Sequence, residues 1–351
     1  MKDASRISLA RQDAQEVLLS VNPKAGARSG HDLVTALQSQ LEKLGFRTRV
    51  ITSPDELRQA AEDGLANETL RTVVCCGGDG TIAFVANATP PATPLSILPL
   101  GTENLFSKYL GIKPNAEQVA QTIAEGWMCR FDAGLATPLA ATPGDDVKAT
   151  PGRIFTLMAG VGFDAEVVRQ VHENRTGHIH HLTYAKPIWQ TIRNYRYPEL
   201  RVVPIDGEDT VVESGGSLLD LEGLRAKWVF VANLPRYAGN LQIVPDADGL
   251  DGLLDVCTFK HGSLWRGVQY LGAVLLRRHR QWSSEVRTFR AAKLRIETVK
   301  NTPVSYQLDG DYGGQLPLEI EVLRERLTML CPRDWLEQHQ LELPSLSAPP
   351  S

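Results

Sequence analysis

Two hydrophobic rhythms divide the chain. In the first third, short apolar runs alternate with segments of helical spacing. Glu16 to Val21 reads as a buried strand, followed by Leu33, Leu37, Leu41 and Leu44 at the spacing of one helix face. Phe46 to Thr52 is a second strand, rich in β-branched residues. Ser53-Pro54-Asp55-Glu56 then supplies an N-cap, a proline in the first turn and Glu56 at the capping-box position, opening a helix to about Ala66. The apolar run Thr72 to Cys76, a helix after Thr81, the strand Leu95 to Leu98 and a helix from Thr102 to Leu110 complete the alternation. This order predicts an α/β fold whose N-terminal domain is a doubly wound parallel sheet.

From about Arg130 the period changes from helical to two. Strands are expected at Arg153 to Ala159, Leu200 to Pro204, Trp228 to Asn233, Leu253 to Phe259 and Lys293 to Thr298, with one helix at roughly Thr183 to Tyr195. The pattern predicts a mostly antiparallel β-sandwich. Strands at Leu318 to Leu323 and Leu327 to Cys331, and a helix from Arg333, are expected to return to the first domain. The resulting division is 14–130, 131–317, a return over 318–341 and a Pro/Ser-rich tail over 342–351, expected to be disordered.

Composition narrows this picture only a little. At 351 residues the chain is long enough for two domains, and its net charge of −4 supplies no global basic field for nucleic acid or an anionic membrane. No apolar run approaches the length of a spanning helix, so any membrane contact is expected to be peripheral. The N-terminus lacks a signal-peptide core. The five cysteines show no zinc-type spacing, and Cys75 and Cys76 read as buried thiols in a reducing, cytoplasmic setting. His172, His178, His180 and His181 fit no common ligand spacing and are read as outside any metal site.

Chemistry concentrates at the ends of the predicted parallel strands. Gly77-Gly78-Asp79-Gly80-Thr81 joins a strand to a helix, which gathers backbone N–H groups around one point and suits a phosphate. Asn22-Pro23-Lys24-Ala25-Gly26 and Pro99-Leu100-Gly101-Thr102-Glu103-Asn104 close two neighbouring strands in the same manner. Open α/β sheets bind ligands at that edge. In the second half, Asp248, Asp251 and Leu253 lie in a carboxylate- and glycine-bearing run that suits Mg²⁺ or Ca²⁺, or else is a solvated turn. Asp309-Gly310-Asp311 reads as a hairpin turn whose carboxylates could hold a metal or take a proton from a substrate hydroxyl.

Taken together, these landmarks resemble the diacylglycerol kinase and sphingosine kinase type of lipid kinase, especially its bacterial members. The match runs from about Val17 to Leu330 and includes Gly160-Val161-Gly162-Phe163-Asp164-Ala165 and Leu308-Asp309-Gly310-Asp311. The resemblance implies ATP-dependent transfer of the γ-phosphoryl group to a lipid hydroxyl, with ATP between the domains and Mg²⁺ bridging it. It implies nucleotide contacts at Asn22, Thr52, Gly77 to Thr81, Gly101, Thr102 and Asn104. Asp79 would organise phosphates and metal, and Asp311 would act as base with Asp309 assisting. It further implies a structural Mg²⁺ on the Asp251 side chain with backbone oxygens of Asp248 and Leu253. The implied partners are a lipid substrate and a membrane surface, not nucleic acid; a homo-oligomer is left open.

Three departures from the family pattern stand out. Ala83-Phe84 stand where an Asn-Glu pair is usual, Leu105 replaces a carboxylate after Asn104, and Asp311 replaces the glutamate proposed as base. A divergent kinase is therefore the leading expectation. An NAD kinase and a catalytically weak nucleotide- or lipid-binding protein are the alternatives.

Overall fold

A computed structural model describes residues 4–21, 28–140, 151–173, 195–205, 211–212, 224–237, 241–263, 266, 269–270, 272, 285–300 and 302–341. The Asn22 to Gly26 turn, the expected helix at 183–194, His178, His180, His181 and the 342–351 tail lie outside them, as does the side chain of His172. The chain divides into two compact units, Met1–Asp132 with Arg324–Ser351, and Ala133–Leu323.

The first unit begins with β1 (Ile7–Leu9), which pairs with the start of β6 (Trp127–Pro138). Its centre is a parallel sheet of β2 (Glu16–Val21), β3 (Arg47–Ile51), β4 (Leu70–Gly77) and β5 (Pro94–Pro99), in the order β3-β2-β4-β5. Every residue of β4 and β5 is buried, as expected of parallel strands covered on both faces. The helices are α1 (Arg28–Lys43), α2 (Pro54–Ala66), α3 (Asp79–Ala88), α4 (Leu105–Tyr109) and α5 (Ala116–Glu125). Ser53 caps α2 by accepting the Glu56 N–H, with Pro54 in the first turn. Two arginines, Arg71 buried and Arg326 partly buried, hold helix ends. Arg71 donates to the carbonyls of Ile123 and Ala124 at the end of α5, and Arg326 donates to those of Ala86 and Thr89 at the end of α3. Each places a guanidinium where helix carbonyls lack partners.

The second unit is built of antiparallel strands. One sheet runs in the order β10 (Val211–Val212), β14 (Val286–Ala291), β13 (Leu254–Phe259), β12 (Trp228–Ala232), β8 (Met158–Gly162), β16 (Ser305–Leu308), β17 (Asp311–Gln315). The other pairs β11 (Leu224–Ala226), β9 (Leu200–Pro204), β15 (Lys293–Thr298) and Leu318–Glu321 of β18 (Leu318–Leu330), while Gly134–Ala136 pair with β7 (Arg153–Phe155). Phe155, Val229, Val256 and Phe289 share one core with Leu200, Leu294, Ile296 and Ile320. This is the sandwich arrangement. Helix α6 (Phe163–Glu173) follows β8 directly.

Two of the expected strand assignments differ. The strand expected over Arg153 to Ala159 is broken at Thr156-Leu157, where the backbone N–H groups turn to the Asp309 carboxylate. The two strands expected at 318–323 and 327–331 are one, β18, whose Thr328 and Met329 pair in parallel with β5 and are followed by α7 (Arg333–Gln338).

Candidate active site

The parallel register brings several predicted residues to one sheet edge. Ser20 pairs with Ile51, Val21 with Cys76 and Gly77 with Pro99, so Thr52, Gly77–Thr81 and Gly101–Asn104 follow the carboxyl ends of strands in one parallel sheet. Thr52 is exposed there. Gly78 caps α3, and its chain lies so close to Gly101 that a Cβ on Gly101 would stand 2.6 Å from the Gly78 Cα. Only glycine permits that approach. The Leu100 N–H donates to the Gly77 carbonyl at 2.9 Å, tying the two turns together.

Asn104 and Asp79 shape the second turn. The Asn104 side chain accepts from the Gly101 N–H at 2.9 Å and donates to the Gly101 carbonyl at 2.7 Å, with its own backbone in the left-handed region at φ 50°. Asp79 accepts from the N–H groups of Leu105 and Phe106, each at 2.9 Å. These are orphan donors at the start of α4, so Asp79 acts as a remote cap. Helix α4 consequently starts at Leu105, not Thr102. Burial pushes the Asp79 carboxyl above its ordinary value, against the pull of those two amides. Phe84 is 43% exposed on α3.

In the second unit, Asp309 and Gly310 form the tight turn between β16 and β17, both with positive φ (51° and 89°). This is the two-residue hairpin geometry that favours Asp-Gly. Asp309 is fully engaged. Its Oδ2 accepts from the Thr156 N–H and hydroxyl at 2.7 and 3.0 Å, and its Oδ1 accepts from the N–H groups of Leu157 and Met158 at 2.8 and 2.9 Å. Burial carries its pKa up to about 6 despite those donors. Asp309 is a clamp in this geometry. Asp311 instead begins β17 with its side chain exposed.

Asp248, Asp251 and Leu253 share one bent loop. Asp251 Oδ1 accepts the Leu253 N–H at 3.0 Å, and Oδ2 accepts from Arg290 at 3.0 Å. The Asp248 carbonyl accepts the Asp251 N–H at 3.3 Å. Burial raises the Asp251 carboxyl, and the nearby Asp248 charge adds to the rise. Among the described residues no three His, Cys, Asp or Glu side chains converge as a metal cage. Mg²⁺ requires less, since it takes one or two carboxylates and keeps several waters. A raised carboxyl beside a second acidic residue fits such an ion, although Arg290 already supplies positive charge there.

Three residues whose hydrogen bonds tie distant parts of the fold together escaped the sequence reading. Arg71, between Leu70 and Thr72, and Arg326, just after Arg324-Glu325, stand in no motif and leave no pattern. Gln307 gave a faint signal as a polar residue in the buried run Val304 to Leu308, just before Asp309. The motif residue Asp164 accepts a hydrogen bond from it.

Comparison with known proteins follows the same division. Residues 16–136 match the model of the diacylglycerol kinase catalytic domain, and residues 158–331 match the YegS C-terminal NAD kinase beta sandwich-like domain. A diacylglycerol kinase of Bacillus subtilis is 24% identical, over 90% of this chain and 96% of its own length. A diacylglycerol kinase of Mycobacterium tuberculosis is 26% identical, over 93% and 98%. The crystal structure of a diacylglycerol kinase from Bacillus anthracis str. Sterne superposes with a TM-score of 0.57 at 18% identity, covering 91% of this chain and 98% of that one. With a catalytic-domain match, a sandwich-domain match and relatives spanning nearly its whole length, the chain belongs to the diacylglycerol kinase-like family.

Proposed function

We propose that this protein is an ATP-dependent lipid kinase that transfers the γ-phosphoryl group to a lipid hydroxyl. The observation that carries this reading is the glycine-paired turn at the carboxyl edge of the parallel sheet, where Gly78 opens α3 against Gly101. Backbone N–H groups at such a helix start suit phosphate oxygens. Thr52, Thr102 and Asn104 stand at strand ends along the same sheet edge and would contact the rest of the nucleotide, joined by Asn22 from outside the described residues.

Phosphoryl transfer depends on positioning and charge neutralisation. Asp311, exposed at the head of β17, would take the proton of the acceptor hydroxyl as that oxygen bonds to the γ-phosphorus and the bond to ADP breaks. Asp309 would assist by fixing the turn that carries Asp311. Asp79 would hold the phosphate-facing turn in shape through Leu105 and Phe106. Mg²⁺, when bound, would neutralise phosphate charge, and a second ion would be held by Asp251 with backbone oxygens of Asp248 and Leu253. Among the described residues no helix is long and apolar enough to cross a membrane, so the lipid would be met at the membrane surface.

The test is incubation with γ-labelled ATP and a total lipid extract, with NAD as a control acceptor. Label is expected in a lipid. Asp311→Asn should lower transfer by on the order of 10²- to 10⁴-fold with ATP affinity retained. Label in NAD instead, or ATP binding with no transfer to any acceptor, would overturn the reading. Undiminished transfer by Asp311→Asn would remove Asp311 from the role of base.

A further inference from the structure

The turn that carries Asp311 is held from a second side. Gln307 on β16 is fully buried, and both ends of its amide are occupied. Its Oε1 accepts the Gly310 N–H at 2.7 Å, and its Nε2 donates to Asp164 Oδ2 at 3.1 Å. The other Asp164 oxygen accepts from the Tyr237 hydroxyl. A continuous hydrogen-bonded chain thus runs from Tyr237 through Asp164 and Gln307 to the Gly310 backbone.

Direction is built into that chain. An ionised carboxylate can only accept hydrogen bonds, whereas a glutamine amide has a donor end and an acceptor end. Asp164 therefore selects which way Gln307 faces. With the NH₂ turned to Asp164, the carbonyl oxygen must face the Gly310 N–H. The reversed amide would oppose two donors at Gly310. Space for the pair comes from Gly160, which lies across from Gln307 on β8. A Cβ at Gly160 would stand 2.2 Å from Asp164 Oδ2 and 2.7 Å from Gln307 Nε2. The run Gly160 to Asp164 thus contains both the gap and the residue that fills it.

We propose that Asp164 and Gln307 are positioning residues for phosphoryl transfer, setting the Gly310 peptide and through it the stance of Asp311. The proposal rests on the reading of Asp311 as the base. Gln307→Met removes both ends of the link, and Asp164→Leu leaves the Gln307 amide free to reverse. Asp164→Asn keeps an acceptor for Gln307 and offers its own NH₂ to the Tyr237 oxygen.

The test measures kcat and the KM for ATP together with hydrogen exchange of the Gly310 amide by NMR. Gln307→Met and Asp164→Leu should lower kcat by on the order of ten- to a hundred-fold, the scale of a misplaced catalytic group, at unchanged KM for ATP. Both should speed Gly310 exchange, and Asp164→Asn should restore both readouts. Gly310 exchange as slow as in the unaltered protein, in either disruptive variant, overturns the proposal. So does faster exchange with kcat intact. Because exchange needs no turnover, it judges the Gln307 link even if Asp311→Asn shows that the base lies elsewhere. Should Asp164→Leu fail to fold, Gln307→Met alone decides.

Discussion

At the scale of single residues, carboxylates of the same type do different work according to what surrounds them. Asp309 and Asp79 spend their oxygens on backbone N–H groups, and Asp311 keeps its carboxylate at the surface. Asp164 carries a cost, because burial pushes its pKa up to about 6 against the bonds from Tyr237 and Gln307. The ordinary aspartate value is 3.8, so the folded chain takes up this proton before the unfolded chain does. By linkage, the resulting stabilisation is complete below about pH 4 and is lost as pH rises through about 6. A tenfold difference in proton affinity is worth about 1.4 kcal/mol, so the effect amounts to roughly 2–3 kcal/mol. Thermal melts of the unaltered protein and Asp164→Asn between pH 4 and 7 should therefore diverge, with Asp164→Asn gaining relative stability as pH rises. Parallel curves would show that the Asp164 carboxyl is not perturbed.

At the scale of elements, the site is made where two strand-to-helix turns touch. Gly101→Ala would drive a methyl group to 2.6 Å from the Gly78 Cα and 2.8 Å from Asn104 Oδ1, forcing the starts of α3 and α4 apart. The expected result is a loss of about 1–3 kcal/mol of stability, the usual cost of overpacking, with a larger loss of ATP affinity. Calorimetry of unfolding and of ATP binding would check both; unaltered affinity would mean that these turns do not shape the nucleotide site. The sequence made this edge legible because Gly, Asp and Asn sit directly after buried apolar runs, and parallel strands aim all such turns to one side. What stayed hidden has a common cause. The break at Thr156-Leu157, the late start of α4 and the roles of Arg71, Arg326 and Gln307 each depend on a partner distant in sequence. Local periodicity carries no information about such partners.

At the scale of the whole molecule, the chain completes its first unit only after it has built the second. It leaves after Asp132 and returns at Arg324, and the two points are tied within the first unit. Asp132 Oδ1 accepts from Arg6 at 2.8 Å and from the Glu325 N–H at 2.7 Å. The return brings Arg326 to the end of α3 and buries Leu327, Met329, Leu330, Cys331, Trp335 and Leu336 almost completely. Large apolar side chains contribute about 1.5–3 kcal/mol each when fully buried, whereas domains are stable by only about 5–15 kcal/mol. The stretch 1–132 therefore cannot form the first unit alone. A chain ending at Leu323 keeps the β18 residues that pair with β15, so the second unit retains its strands. Truncation to 1–323 should abolish ATP binding and leave peptides from 1–132 unprotected in hydrogen exchange, while peptides from 133–323 keep their protection. If the truncated chain bound ATP as the full chain does, the returning strand would be dispensable and the first unit self-sufficient. The amide exchange map would then show protection over β2, β4 and β5 without their C-terminal neighbour.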